Sequence, residues 1–540
     1  MQARDGDFIN PLTSKESIEV GKAISQGALR DFRALKPAAG EEMIHRYELY
    51  NNDHAQHILE SLCRVVHVTD FQLADVKSPS RFEYVNQYAD DRRFSGLVPG
   101  YRPQEFLIYS MVHELVRTLN RFPNSELSDR EIDLVLTTGD LIDNAQSNEF
   151  SWVMALLGGG TIEIPSGSDE MELVSDQYFG SYAYWQPEGD KDSYKERFGF
   201  PRVDGLLRNA LRPIVSDGLK MPWLGCNGNH EILTQGVGRV SSSLQELAVG
   251  QSKSVDIGAI GEGSLYEEFI EDPTLFYLSG VQRDISPDEG RVHVGVDGVI
   301  AAYLNAPGLP KGHGFTDWNV ENHVAYFAYD LNDKVRIVTL DTAVPSGDEE
   351  GAIDESQFLW LEEKLKESSS RYFEDGKLVA NSVGIDRYIV ITSHHPLFKM
   401  NNSFRDARDT EVTKERLSDL LHRFPNVILW LSGHTHVNRV MPSQSPYDPR
   451  FGFFEVTTVS IMDWPSQFRV VELFSGDSHL EVHLEMGNID VPVQSTEVES
   501  SADLASWHRT VAYNTSLLVP KHFVGEHRDR NVVLHLNKRH

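Results

Sequence analysis

The feature that most constrains this chain is a short apolar run that recurs along it and ends each time in Asp, Asn or His. The instances are RVVHVTD (64–70), DLVLTTGD (133–140), MPWLGCNGNH (221–230), VRIVTLD (335–341), RYIVITSHH (387–395) and VILWLSGHTH (427–436). Continuous β-branched runs bounded by Gly or Pro read as strands buried on both faces. The polar residues at their C-terminal ends stand where open α/β sheets place their ligands. Helical patterns lie between the strands: FLIYSMVHELVRTLN (106–120), DESQFLWLEEKLKE (354–367) and RLSDLLHRF (416–424). In the second, Asp354 takes the N-cap position with Gln357 three residues on, and Phe358, Leu361 and Leu365 share one face. Past residue 450 the pattern is all-β: FGFFEVTTVSIMD (451–463), QFRVVELFSG (467–476) and SHLEVHLEMG (478–487) read as consecutive antiparallel strands. The expected fold is α/β, two packed sheets with helices on their outer faces.

Five polar motifs sit at the ends of these strands in a set order. Asp70 stands in DFQ, Gly139-Asp140 in GDLID, and Gly228-Asn229-His230-Glu231 in GNHE; His394-His395-Pro396 and Gly433-His434-Thr435-His436 follow. Each offers a hard oxygen or an imidazole, the ligand chemistry of Mn²⁺, Fe or Zn²⁺ rather than of a thiolate site. No GxSxG, P-loop or GxGxxG set competes with a metal centre.

With these motifs the chain resembles the calcineurin-like metallophosphoesterases. That superfamily shows D-x-H, GD, GNH[DE], H-x-P and GHxH in this order, and four of the five match without change. The resemblance covers residues 64–71, 135–144, 224–231, 389–397 and 428–438. It implies an αββα sandwich of two mixed sheets and two divalent ions per chain, Mn²⁺ or Fe favoured, with Zn²⁺ and Mg²⁺ compatible. Carried over residue by residue, Asp140 bridges both ions. Asp70 and His436 complete the first site; Asn229, His394 and His434 complete the second, and His230 is left unligated beside the phosphate. The departure is Gln72, where most of the superfamily has His. DFQLAD resembles the D-x-Q-x-A-D of manganese-dependent ADP-ribose/CDP-alcohol diphosphatases, and a neutral amide ligand leans the first site toward Mn²⁺. His230 is the expected general acid, with Glu231 or Asp143 as its orienting partner. Asn229, His230 and His395 are the expected substrate contacts.

The resemblance makes residues 61–490 a metallophosphoesterase domain. Residues 1–60 read as a helical N-terminal extension and 491–540 as a C-terminal extension packed on the domain. Segments near 74–130, 151–215 and 236–332 are longer than the core needs and read as functional insertions. The stretch 166–176 looks solvated. Two clusters within the insertions, His313, Asp317 and His323 in 311–323 and YAYWQ at 182–186, are explained most simply by packing; Asp463-Trp464-Pro465 is expected at the cleft rim.

The net charge of −31 repels phosphate backbones, and no dense Lys/Arg cluster offsets it, so no nucleic-acid polymer is expected as a partner. Small anions stay accessible, because bound cations reverse the local field. Cys63 and Cys226 read as buried free thiols, and two cysteines exclude a disulfide framework. The first thirty residues lack the apolar stretch of a signal peptide, and no run is long enough to span a membrane. The expectation is a soluble, cytoplasmic protein; an exported chain with a trimmed leader would read the same way. The expected function is hydrolysis of small phosphodiesters, diphosphates or phosphomonoesters, nucleotide-like compounds favoured, by metal-activated water. The alternatives are a binding or scaffold protein with weakened metal sites and, further off, a nuclease.

Overall fold

The computed structural model describes residues 10–50, 59–89, 91–94, 96–164, 166–257, 265–278, 280–402, 412–518 and 522–539. Two mixed sheets form its centre. The first has seven strands in the order Ile44–Leu49 (β1), Val532–Asn537 (β13), His479–Asn488 (β12), Gln467–Ser475 (β11), Glu60–Val68 (β2), Leu134–Thr137 (β3) and Trp223–Leu224 (β4). The second has six, in the order Phe327–Asp330 (β5), Val335–Thr339 (β6), Tyr388–Thr392 (β7), Val427–Ser432 (β8), Gly452–Thr457 (β10) and Arg439–Gln444 (β9). β2, β3 and β4 are parallel, as are β6, β7, β8 and β10, so the motif-bearing ends of each set point the same way.

The layering follows from side-chain alternation along the strands. Ile337, Val390, Leu429 and Leu431 of the second sheet meet Val65, Val471 and Leu473 of the first. The alternate positions Val338, Ile389, Ile391 and Trp430 face the other way. They pack on Phe358, Leu361 and Leu365 of helix Glu355–Glu367 (α2) and on Leu417, Leu420 and Leu421 of helix Lys414–His422 (α3). Burying each such side chain contributes roughly 1.5–3 kcal/mol. Helices Ile108–Leu119 (α1) and Ser501–Ser516 (α4) pack together, and Met111, Leu115, Val116 and Val511 join the core that includes the first sheet. The order is helices, sheet, sheet, helices, the expected αββα sandwich.

Several local expectations are corrected. The described part of the N-terminal extension is β, not helical: Glu16–Ser25 and Phe32–Ala39 form an antiparallel pair, and β1 adds a strand beside β13. Pairing with a ready sheet edge decides these segments where local propensity is weak. Residues 1–9 and 51–58 of that extension lie outside the described residues. The strand from 451–463 does not join its successors; it lies parallel to β8 in the second sheet, while β11 and β12 form the antiparallel pair in the first. α2 is capped by Asp354, whose side chain accepts from the Gln357 amide. Gln357 does not complete a capping box: its side chain accepts from Asp341 N at 2.8 Å and donates to Asp341 O at 2.7 Å, tying the helix to the chain just beyond β6.

The expected insertions divide between the core and a smaller aromatic cluster. α1 falls within 74–130 yet belongs to the core. Residues 82–97 and 237–277 instead build a small core of their own, with Phe82 edge-on to Phe269 at 4.7 Å and Phe94 and Tyr277 beside them. The stretch 166–176 is not fully solvated, since Ser166, Leu173 and Val174 are buried. His313 stacks on Trp223 at 3.5 Å and His323 pairs with Asp297 at the surface, so that cluster is packing; Tyr184 and Trp185 are buried too. Both cysteines are buried free thiols. Among the described residues no helix is long and apolar enough to cross a membrane.

Candidate metal centre

At three of the five motifs the chain leaves its strand through left-handed backbone. Asp70, Gln72, Asp140, His434 and His436 have φ of 54°, 44°, 52°, 65° and 58°. Non-glycine residues pay roughly 1–3 kcal/mol for such conformations, which persist where surrounding contacts over-determine them. The turns bring side chains from both sheets to one place. Gly433 permits the closest approach, since a Cβ there would run into Thr69 Oγ1 and Asp70 Oδ2.

The imidazoles are oriented in a common way. The His394 Nδ1–H donates to Thr138 O at 2.7 Å, which turns the Nε2 lone pair toward Asp140 Oδ2, 3.1 Å away. His436 Nδ1 is 2.6 Å from Asp463 Oδ2, and its Nε2 faces Asp70 Oδ1 at 3.1 Å. The other Asp70 oxygen accepts from Thr69 Oγ1 at 2.6 Å and His434 N at 3.1 Å. The Asn229 amide donates to Gly236 O at 2.9 Å, leaving Oδ1 free to face the site. Asp463, which sequence places only at a cleft rim, is therefore the carboxylate that orients His436.

These residues fit a metal pair. Asp70 Oδ1, Asn229 Oδ1, His394 Nε2 and Gln72 Oε1 are buried without a hydrogen-bond partner. A buried unsatisfied polar atom costs about 1–3 kcal/mol. Two acceptors 3.1 Å apart repel unless a proton or cation lies between them. Ligand atoms of Asp70, Asp140 and His394 lie within 4.8 Å of one another, as do those of His394 and His434, so the two halves adjoin through His394.

Three expected roles are corrected or refined. Glu231 does not touch His230: its carboxylate accepts from Asp140 N at 2.7 Å, Leu141 N at 2.6 Å and Gly228 N at 2.8 Å, clamping two motif loops together. Asp143 orients His230 through its backbone carbonyl, 2.6 Å from Nδ1, while its carboxylate pairs with buried Arg81. His395 does not face an open site; its ring is buried, with Nδ1 2.8 Å from Thr342 Oγ1 and Nε2 2.9 Å from Glu349 O. Gln72 Nε2 lies 3.0 Å from His230 Nε2, linking the departure motif to the expected general acid.

Charge and burial oppose each other across the centre. Burial works against ionised Asp140, but His394 and His230 outweigh it and hold the carboxyl well below its usual range. Burial lowers His394, yet Asp140 lifts it to about 9. Burial and the surrounding imidazoles hold His434 far below the ordinary histidine value. Burial beside Asp140 raises Glu231 to about 8. Bound divalent ions would dominate all of these fields.

A two-sheet sandwich carrying Asp, Asn and His on its strand ends in this motif order is what the resemblance to the calcineurin-like metallophosphoesterases implies. The chain is similar to a probable glycerophosphodiester phosphodiesterase, GpdQ, of Arcobacter nitrofigilis, with 29% identity over 133 residues. The match spans 24% of this chain and 42% of that protein, less than half its length. No protein-family profile matches the chain. Among solved structures it is similar to a dimetal phosphatase from Danio rerio, at TM-score 0.36 and 11% identity over 80% of this chain and 97% of the other. A second is PhoD, at TM-score 0.30 and 11% identity over 90% and 81% of the respective chains.

Proposed function

We propose that the chain hydrolyses small phosphate esters with two divalent ions held by Asp70, Asp140, Asn229, His394, His434 and His436, with Gln72 beside the first. The observation that carries this is the pairing of lone pairs, His394 against Asp140 and His436 against Asp70, each at 3.1 Å. When bound, two such ions neutralise the phosphoryl oxygens and make a nucleophile from water at neutral pH. The protein's own residues supply position. Asp140 lies between the two halves of the site, and its Oδ1 accepts from His230 N at 2.9 Å, so ligand and acid are fixed to each other. His230, held through Nδ1 by the Asp143 carbonyl, presents Nε2 as the atom that protonates the leaving oxygen. Gln72, sharing that nitrogen, must release it when His230 carries the proton. The donor set of carboxylates, amide and imidazoles suits Mn²⁺ or Fe, with Zn²⁺ and Mg²⁺ compatible.

The substrate class is proposed from the surroundings. Gln235, next to the Gly236 carbonyl that holds Asn229, accepts from Phe82 N at 2.6 Å and donates to Gly100 O at 3.1 Å. The aromatic cluster of 82–97 and 237–277 is thereby tied to the metal loops and forms a wall that favours small diesters, diphosphates or nucleotide-like monoesters. A scaffold role is less favoured because the expected ligands and His230 are all present. Metal analysis combined with a panel of mono-, di- and pyrophosphate esters tests the assignment. The wild type should carry two ions per chain and turn over; Asp140→Asn should lose at least one ion and all turnover. Two ions with normal rates in that variant refute it.

A further inference from the structure

A second cluster of metal-ligating side chains lies on the first sheet, away from the phosphoesterase centre. His479, Glu481 and His483 alternate along β12 and so share one face, while Leu480, Val482 and Leu484 between them enter the core. On the next strand, His535 stands directly across from Glu481. His479 Nε2 is 3.1 Å and His535 Nδ1 is 3.5 Å from the same oxygen, Glu481 Oε1, and these three ligand atoms lie within 4.8 Å of one another. Ligands about 2.0–2.1 Å from a tetrahedral zinc ion lie roughly 3.3 Å apart, so the spacing matches a zinc site.

Two of the three side chains, Glu481 and His535, also have the outer support that metal ligands need. His483 Nε2 holds the other carboxylate oxygen, Glu481 Oε2, at 2.8 Å. His45 of β1 places Nδ1 2.9 Å from His535 Nε2, and Tyr47 stacks on the His535 ring at 4.2 Å. With the proton of His535 on Nε2 and directed to His45, the Nδ1 lone pair faces Glu481. Orienting a ligand through its second polar atom is what tunes metal sites.

The position is remote from the candidate active site. Phe474 pairs with both Glu481 and Ser61, at the Glu60 end of β2, whereas Asp70 follows the Val68 end. At about 3.3 Å per residue the two places are on the order of 25 Å apart.

We propose that His479, Glu481 and His535 bind a divalent zinc ion that fastens β12 to β13 and, through His45, to β1. The ion is structural, additional to any in the hydrolytic centre, and independent of it. The test loads the full chain with Zn²⁺, removes the excess and measures metal by mass spectrometry. Wild type should retain one more zinc per chain than the Glu481→Gln/His535→Gln double variant, with diester hydrolysis agreeing within about twofold, since the sites are distant. Because that variant removes two packed groups, His483→Gln supplies a second measurement that keeps all three ligands. Competition with a chromophoric chelator should show the extra zinc bound about 10–100-fold more weakly in His483→Gln, with the melting curve confirming an intact fold. Equal zinc content in wild type and double variant, or an unchanged competition curve in His483→Gln, overturns the proposal. Phosphoesterase activity does not enter that comparison, so its failure leaves the hydrolase assignment standing.

Discussion

His394 and His436 meet one requirement in the same manner: each commits one ring nitrogen to a protein acceptor and so aims the other at a carboxylate. Their partners, Thr138 and Asp463, lie 256 and 27 residues away in sequence. The expected ligands are legible because they sit in compact motifs at strand ends; the groups that aim them are not, because only the folded sheets bring them close. His395 shows the converse. Its place beside the motif proline makes it look like a substrate contact, yet its nitrogens face Thr342 and the Glu349 carbonyl. Two substitutions separate roles at this scale. His230→Asn should lower kcat by about 10²–10⁴ while metal content holds, with a smaller loss on esters of acidic leaving groups such as nitrophenol. An equal loss across leaving groups would remove the general-acid role. Gln72→His restores the commoner ligand, so metal retention should tighten and the preference for Mn²⁺ weaken. It also removes the amide donor near His230, so kcat should be compared at metal saturation. Unchanged affinity and selectivity would place Gln72 outside the coordination sphere.

The strands most legible in sequence are those buried on both faces, β2, β3, β6, β7 and β8, because continuous apolar runs have few alternatives. β9 is not legible in the sequence for a physical reason. It is an edge strand interrupted by Pro442, which pairs opposite Phe454 and is tolerated because an edge has one unpaired side. The N-terminal strands are not legible either, because their stability comes from pairing rather than from their own pattern. Between these extremes stands α2, whose apolar face was apparent and whose seat was not. Leu361 is fully buried against the second sheet, so Leu361→Ala should destabilise the fold by about 2–5 kcal/mol. The metal loops stand on the strand ends rather than on α2, so activity measured below the unfolding transition should remain close to wild type. Denaturant titration beside a kinetic assay checks both, and a large loss of kcat with unchanged stability would show that α2 positions the centre.

For the molecule as a whole, the proposed function has the net charge of −31 and the aromatic cluster acting together on substrate choice. On that proposal a polyanion is repelled at long range and would then meet a narrowed approach, whereas a small ester would be subject to the local field of bound ions. Small activated diesters should therefore be cleaved much faster than oligonucleotides or duplex DNA, and raising the salt concentration should leave the ranking intact. Rapid degradation of long nucleic acid at physiological salt would contradict the small-substrate assignment. The order in which the first sheet can be completed follows from one pairing. β13 lies between β12 and β1, antiparallel to one and parallel to the other. During synthesis the ribosome delivers both neighbours first, so for hundreds of residues β1 has no place to dock. Until residues 532–537 emerge, the nascent protein presents two open strand edges, the geometry by which partly made chains join one another. Of the strands of this sheet, β13 is the latest made and the one that closes it, and a ribosome stalled just short of it leaves a chain with all five motifs already made and an adhesive side.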